Sequence, residues 1–249
     1  MDSAQADSAP PVASSPLSPA DRLIVALDLP SANTALDLVD ELQGLCRWFK
    51  VGMELYYAAG NSIVHRLRDR GFEVFLDLKL HDIPNTVAGA IRSVASSGAS
   101  LLTIHASGGE KMMRAAALAA SRPESPRLLA VSVLTSIDAA DLSATGVPDS
   151  PETQVLRLAK LAQAAGISGL VCSPQEVASV RQVMGPDALL VIPGVRPAGS
   201  AGSDDQARTA TAAEAIARGA SMLVVGRPIT QAADPSKAAA SLLTEIASA

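Results

Sequence analysis

Residues 74–86 read Val74-Phe75-Leu76-Asp77-Leu78-Lys79-Leu80-His81-Asp82-Ile83-Pro84-Asn85-Thr86. An apolar run that starts like a buried strand ends in three charged groups. Side chains alternate along a strand, so Asp77 and Lys79 share one face while Leu76, Leu78 and Leu80 share the other. Burying an unpaired charge costs several kcal/mol, so such a strand end needs either a compensating partner or a chemical use.

Outward from this stretch, the same rhythm repeats from Leu23 onward, with a short apolar run followed by a longer amphipathic one. Apolar runs fall at 23–27, 48–51, 74–80, 100–105, 128–134, 169–172, 188–192 and 222–225. Near-continuous apolar strands alternating with helices indicate a parallel sheet covered on both faces. Eight such units in a chain of 249 residues suit an α/β fold of the closed (β/α)8 TIM-barrel type. The chain is 48% hydrophobic but only 2% aromatic, so its core is expected to consist of Ala, Val, Leu and Ile.

Helix signals fill the gaps. Ser173-Pro174-Gln175-Glu176 reads as a capping box with proline at the first helical position, and Gly185 as the stop. Ser150-Pro151 opens another helix that Gly166 ends, and Asp234-Pro235 opens the last. Runs 31–43, 54–70, 84–97, 108–121 and 209–218 occupy the remaining slots. The first 20 residues are poor in large apolar side chains and cannot offset their ordering entropy, so 1–20 read as a disordered tail and 21–249 as the barrel domain. This tail lacks the basic start and apolar stretch of a secretory signal. Segment 193–207, rich in Gly, Ser, Ala and Pro, is long for a connection in a compact domain and is expected to act as a mobile lid.

Other classes are disfavoured. A net charge of -5 gives no basic face for nucleic acid. No apolar run approaches the roughly 20 residues of a membrane helix. Cys46 and Cys172 have no metal-like spacing and read as free thiols in a reducing cytoplasm.

The polar groups fall in a pattern. Asp28 closes strand one, Lys50 closes strand two, and Asp77 and Lys79 close strand three with Asp82 just beyond. Thr135 and Ser136 follow strand five, Arg196 follows strand seven, and Gly226-Arg227 follows strand eight. Each has a bland alternative: Asp28 as a loop cap, Lys50 as a surface lysine with a buried stem, Asp77/Lys79/Asp82 as a structural ion cluster. Their concentration at strand C-termini favours a site, because barrel enzymes build theirs on that face. Gly226 lets an anion approach the backbone and Arg227 offers a forked cation, in a region where such barrels often hold phosphate. Arg196 and Gln206 could close over the same phosphate. His65, His81 and His105 do not form a metal set; His65 reads as a helix-surface residue, and none is assigned a catalytic role.

These residues resemble a known family. Val25-Ala26-Leu27-Asp28, Phe49-Lys50-Val51-Gly52, the whole of 77–86, Leu134-Thr135-Ser136, Pro193-Gly194-Val195-Arg196 and Val225-Gly226-Arg227 are similar, in order and spacing, to the markers of the orotidine 5′-phosphate decarboxylases. The resemblance runs from about Arg22 to the end of the barrel, and 77–86 is its most specific part. It implies decarboxylation of orotidine 5′-monophosphate to uridine 5′-monophosphate in pyrimidine synthesis. Lys79 is then the proton donor to carbon six of the pyrimidine, with Asp77 and Asp82 flanking it in an alternating array with Lys50. Asp82 and Thr86 are implied to reach the partner's site in a homodimer. Asp28 and Lys50 are implied on the ribose hydroxyls, Thr135 on the pyrimidine edge, and Arg196, Gln206, Gly226 and Arg227 on the phosphate. The family needs no metal and no organic cofactor.

The nearest rivals are the sugar-phosphate enzymes of the same superfamily, hexulose-phosphate synthases and ketogulonate-phosphate decarboxylases. They share the Asp-x-Lys-x-x-Asp core but use magnesium and usually carry glycine soon after the second aspartate. Ile83-Pro84-Asn85-Thr86 stands there instead. A rival of another class is an inactive barrel kept as a phosphate-binding scaffold, against which the intact Asp77/Lys79/Asp82 set argues.

Overall fold

Eight parallel strands close on themselves in sequence order: β1 (Leu23–Ala26), β2 (Trp48–Gly52), β3 (Glu73–Leu80), β4 (Leu101–His105), β5 (Arg127–Val131), β6 (Gly169–Val171), β7 (Leu189–Ile192) and β8 (Met222–Val225), with β8 pairing back onto β1. The computed structural model describes residues 17–196 and 208–249. Helices connect the strands, as expected from the alternation of short apolar and longer amphipathic runs.

Alternation along each strand divides the core in two. Leu23, Val25, Phe49, Val51, Val74, Leu76, Leu102 and Ile104 point outward into the layer shared with the helices. Ile24, Ala26, Phe75, Leu101, Leu129, Val191, Met222 and Val224 fill the barrel interior, with Trp48, Val171 and Leu189 packed against them. The barrel is therefore a packed plug below its rim, and any cavity must lie above this layer.

Several local expectations are corrected. The run 54–70 forms two helices, Met53–Ala59 and Asn61–Asp69. Gly60 stands between them at φ 62, a left-handed conformation that glycine adopts without steric cost. The helix after β6 is Val177–Met184. Glu176 Oε2 does accept the Ser173 N–H, but the Ser173 hydroxyl accepts from the Gln175 N–H, around a turn that precedes the helix. β5 ends at Val131, three residues before the apolar run does. A short helix, Ala139–Ala144, was not anticipated; Asp138 caps it and Asp141 completes the box. At the N-terminus, Ser18 caps the one-turn helix Pro19–Arg22, so a tail boundary at residue 20 cuts through a helix. Residues 1–16 lie outside the described residues.

Candidate active site

The alternation that fills the barrel also builds its top layer. Lys50 stands two residues after Trp48, Asp77 two after Phe75, and Thr103 two after Leu101, so all three side chains follow an interior residue on the same face. Asp28 lies two residues beyond Ala26 and Gly226 two beyond Val224. All of these but Thr103 line a cavity of about 510 Å³ at the C-terminal mouth of the barrel, together with Lys79, Thr135, Arg196 and Arg227.

Four charges form a continuous chain across the β1–β3 side. Asp28 Oδ1 lies 2.8 Å from Lys50 Nζ, which is 3.6 Å from Asp77 Oδ2. Lys79 Nζ donates to that same Oδ2 at 2.8 Å. The second oxygen of Asp77 accepts from the Thr103 hydroxyl at 2.9 Å. Asp77 is 8% exposed. Burial alone pushes its carboxyl pKa up, but Lys50, Lys79 and the Thr103 hydroxyl outweigh that effect and hold it below its ordinary 3.8. A carboxylate with a depressed folded-state pKa stabilises the fold above its unfolded value, and that contribution is lost as pH falls towards the folded one.

Lys79 does not continue β3 as a regular strand residue. Its φ is 49, a left-handed conformation that costs a residue with a Cβ about 1–2 kcal/mol. The pairing of β3 with β4 shifts register between Leu76 and Leu80. Thr103 supports this bend directly, because its hydroxyl oxygen also accepts the Lys79 backbone N–H at 2.9 Å. One fully buried hydroxyl thus fixes both the Asp77 carboxylate and the Lys79 backbone. Thr103→Val preserves shape but removes both bonds. Expected are a kcat lower by about 10- to 100-fold, the value of hydrogen bonds to charged groups, and an acid limb of the rate profile shifted to higher pH as Asp77 loses a donor. Thr103→Ser should recover most of the rate. An unchanged pH profile in the valine variant would remove Thr103 from this role.

Gly52 is required by close approach. A Cβ there would lie 2.7 Å from Asp28 Oδ1 and 3.1 Å from Lys50 Nζ, so any side chain collides with the ion pair.

The wall next to Asp28 comes from the other end of the chain, because β8 pairs back onto β1. Arg196 follows β7, and its Nη1 donates to the Val195 carbonyl at 2.8 Å. Arg227 opens the short helix Arg227–Thr230 after β8, whose last residue, with Gln231, also lines the cavity. Gln206 lies outside the described residues, as does most of the segment read as a lid. Asp82 and Thr86 do not enter the cavity of their own chain: both are exposed, and Asp82 Oδ1 accepts from the Ile83 N–H at 2.6 Å. His81 and His105 pair outside the cavity with ring centroids 5.3 Å apart. Burial, then the charges of His81 and Lys79, lower the His105 pKa, against an opposing pull from Asp77. His65 is exposed on its helix.

Sequence reading missed Thr103, Gly52, Thr230 and Gln231. For Thr103 a signal existed: it is the polar residue in the run Leu101-Leu102-Thr103-Ile104, at the interior parity.

The sequence matches the family described as orotidine 5′-phosphate decarboxylase / HUMPS over residues 21–242. This chain belongs to that family. It is an enzyme of the carboxy-lyase kind. Among curated relatives, the orotidine 5′-phosphate decarboxylase of Anaeromyxobacter dehalogenans is 53% identical over 223 residues, covering 90% of this chain and 97% of the relative. That of Halorhodospira halophila is 54% identical over 230 residues, with 92% and 97% covered. In three dimensions the chain is similar to the orotidine 5′-phosphate decarboxylase of Lactobacillus acidophilus, with a TM-score of 0.78, 38% identity, and 90% and 98% of the two chains covered. The family match alone runs through all eight strands, including every strand whose end carries a cavity charge.

Proposed function

We propose that this enzyme converts orotidine 5′-monophosphate to uridine 5′-monophosphate, with Lys79 as proton donor. The observation that carries this reading is the Asp28–Lys50–Asp77–Lys79 charge chain lining a barrel-top cavity that Arg196 and Arg227 line as well. Loss of carbon dioxide leaves the bonding electron pair on carbon six of the pyrimidine, where no ring carbonyl readily delocalises it. A fixed ammonium stabilises that developing carbanion and then delivers its proton to the carbon, to be replaced from solvent. Asp77 places negative charge near the departing carboxylate and fixes the Lys79 ammonium beside it. Asp28 and Lys50 suit the ribose hydroxyls, Thr135 the pyrimidine edge, and Arg196, Gln206, Gly226 and Arg227 the phosphate.

No metal or organic cofactor enters this mechanism. Asp28 and Asp77 each already engage a lysine at 2.8 Å, so a divalent cation would have to displace an ammonium to reach either. The test is turnover of orotidine 5′-monophosphate in excess chelator, followed by loss of pyrimidine absorbance. Full activity is expected; turnover only on adding magnesium would favour the sugar-phosphate enzymes of the superfamily instead.

The working form in this reading is a cytoplasmic homodimer. Asp82 and Thr86 are exposed beside Ile83, an apolar side chain 67% exposed, which suits a segment that completes a partner's site. Lys79→Ala and Asp82→Asn variants should each be inactive alone. Unfolded together and refolded, they should recover about a quarter of wild-type activity, because half the dimers are mixed and each mixed dimer holds one intact site. No recovery would place Asp82 in its own chain's site, and an active Asp82→Asn variant would place it outside any.

A further inference from the structure

Behind the cavity wall lies a buried ion pair that the mechanism does not use. Arg208 is 8% exposed and Glu176 3% exposed, and Arg208 Nη1 donates to Glu176 Oε1. Neither residue lines the cavity. Glu176 Oε2 accepts the Ser173 N–H at 3.0 Å and the Ser173 hydroxyl, so the carboxylate is tied to the connection after β6. Arg208 Nη2 donates at 2.9 Å to the carbonyl of Leu134, in the connection after β5. Two residues further on, Ala210 forms a parallel bridge with Val195. The Ala210 carbonyl accepts the Arg196 N–H at 2.9 Å, and its own N–H donates to the Gly194 carbonyl at 3.2 Å. One guanidinium therefore joins the connections after β5, β6 and β7, and cavity-lining residues stand on all three: Leu134 and Thr135, Cys172, and Gly194 and Arg196.

Stability is a poor reason for such a pair. Desolvating two charges offsets much of their attraction, and apolar replacements often stabilise as well. Arg208 also keeps a buried Nε with no partner among the described residues. What an apolar pair could not supply is direction: hydrogen bonds from a planar, rigid fork to a carboxylate on one connection and a carbonyl on another.

We propose that Arg208, through Glu176 and the Leu134 carbonyl, is a positioning residue that sets the backbone of Arg196 for the substrate phosphate. The inference rests on the phosphate reading of Arg196 given above. It differs from a role in general stability because it acts selectively on phosphorylated ligands.

The experiment compares binding of uridine 5′-monophosphate and uridine, and turnover of orotidine 5′-monophosphate and orotidine. The variants are Arg208→Lys, the charge-free double variant Arg208→Met with Glu176→Gln, and Arg196→Ala. Both pair variants should weaken the monophosphate about tenfold more than the nucleoside, with Arg208→Lys retaining the folded circular dichroism spectrum and melting cooperatively. Equal losses on both ligands, or no loss, in a folded Arg208→Lys protein would overturn the proposal. If Arg196→Ala discriminates between the ligands and the pair variants do not, only the positioning role fails. If Arg196→Ala itself shows no discrimination, the phosphate reading fails and the positioning role with it.

Discussion

Lys79→Ala should lower kcat on orotidine 5′-monophosphate by about 10⁴-fold or more, the combined scale of a lost proton donor and a lost charge at the reacting atom. The uridine 5′-monophosphate dissociation constant should move by less than about tenfold, because phosphate and ribose contacts elsewhere in the cavity supply most of the binding energy. In the folded protein the substitution leaves Asp77 with Lys50 at 3.6 Å and the Thr103 hydroxyl as its remaining partners. Lys79→Arg should be nearly as inactive. A guanidinium keeps the charge but does not release a proton in this pH range, and its planar fork does not fit the place of a single ammonium 2.8 Å from Asp77 Oδ2. Single-turnover rates and a product titration on the same preparations separate the effects. A rate near wild type in Lys79→Ala would take the proton-donor role away from this residue.

Arg227→Ala should cost about 2–5 kcal/mol in kcat/KM for the phosphorylated substrate, the usual loss when one partner of a desolvated charge pair is truncated. Orotidine, which lacks the phosphate, should lose less than threefold. The reason is position: Arg227 begins the helix that follows β8, on the cavity wall supplied by the last barrel units, whereas the Lys79–Asp77 pair stands on β3. Contacts remote from the reacting carbon act through binding and ordering of the site. The comparison of the two substrates carries the test, and equal losses on both would refute the phosphate assignment.

Most of the barrel was legible because two periodicities coincide with two layers. Each strand is buried on both faces, so its apolar run is nearly continuous and easy to find; helices such as Ala32–Glu41, Pro151–Ala164 and Pro235–Ala247 carry an apolar stripe and signal their start with Ser or Asp. The breaks were harder. Gly60 divides a pattern that is periodic on both sides of it, and the capping pair Ser173–Glu176 holds a turn in place of a helix start. Glu176 faces Arg208, 32 residues away, and no local rule anticipates that partner.

By itself the sequence determined the strand order, the gathering of charges at strand ends and part of the cavity lining: Asp28, Lys50, Asp77, Lys79, Thr135, Arg196, Gly226 and Arg227. Those are consequences of side-chain parity and of where a strand stops, which are local properties. Only the tertiary structure decided how the charges pair, that Lys79 turns through a left-handed backbone, and that Thr103 and Arg208 support the two walls. Each of these depends on groups brought together by barrel closure, 24 residues apart for Thr103 and Lys79 and 74 for Arg208 and Leu134. Whether a buried charge is an energetic burden or a tool depends on that partner, and the partner exists only once the barrel has closed.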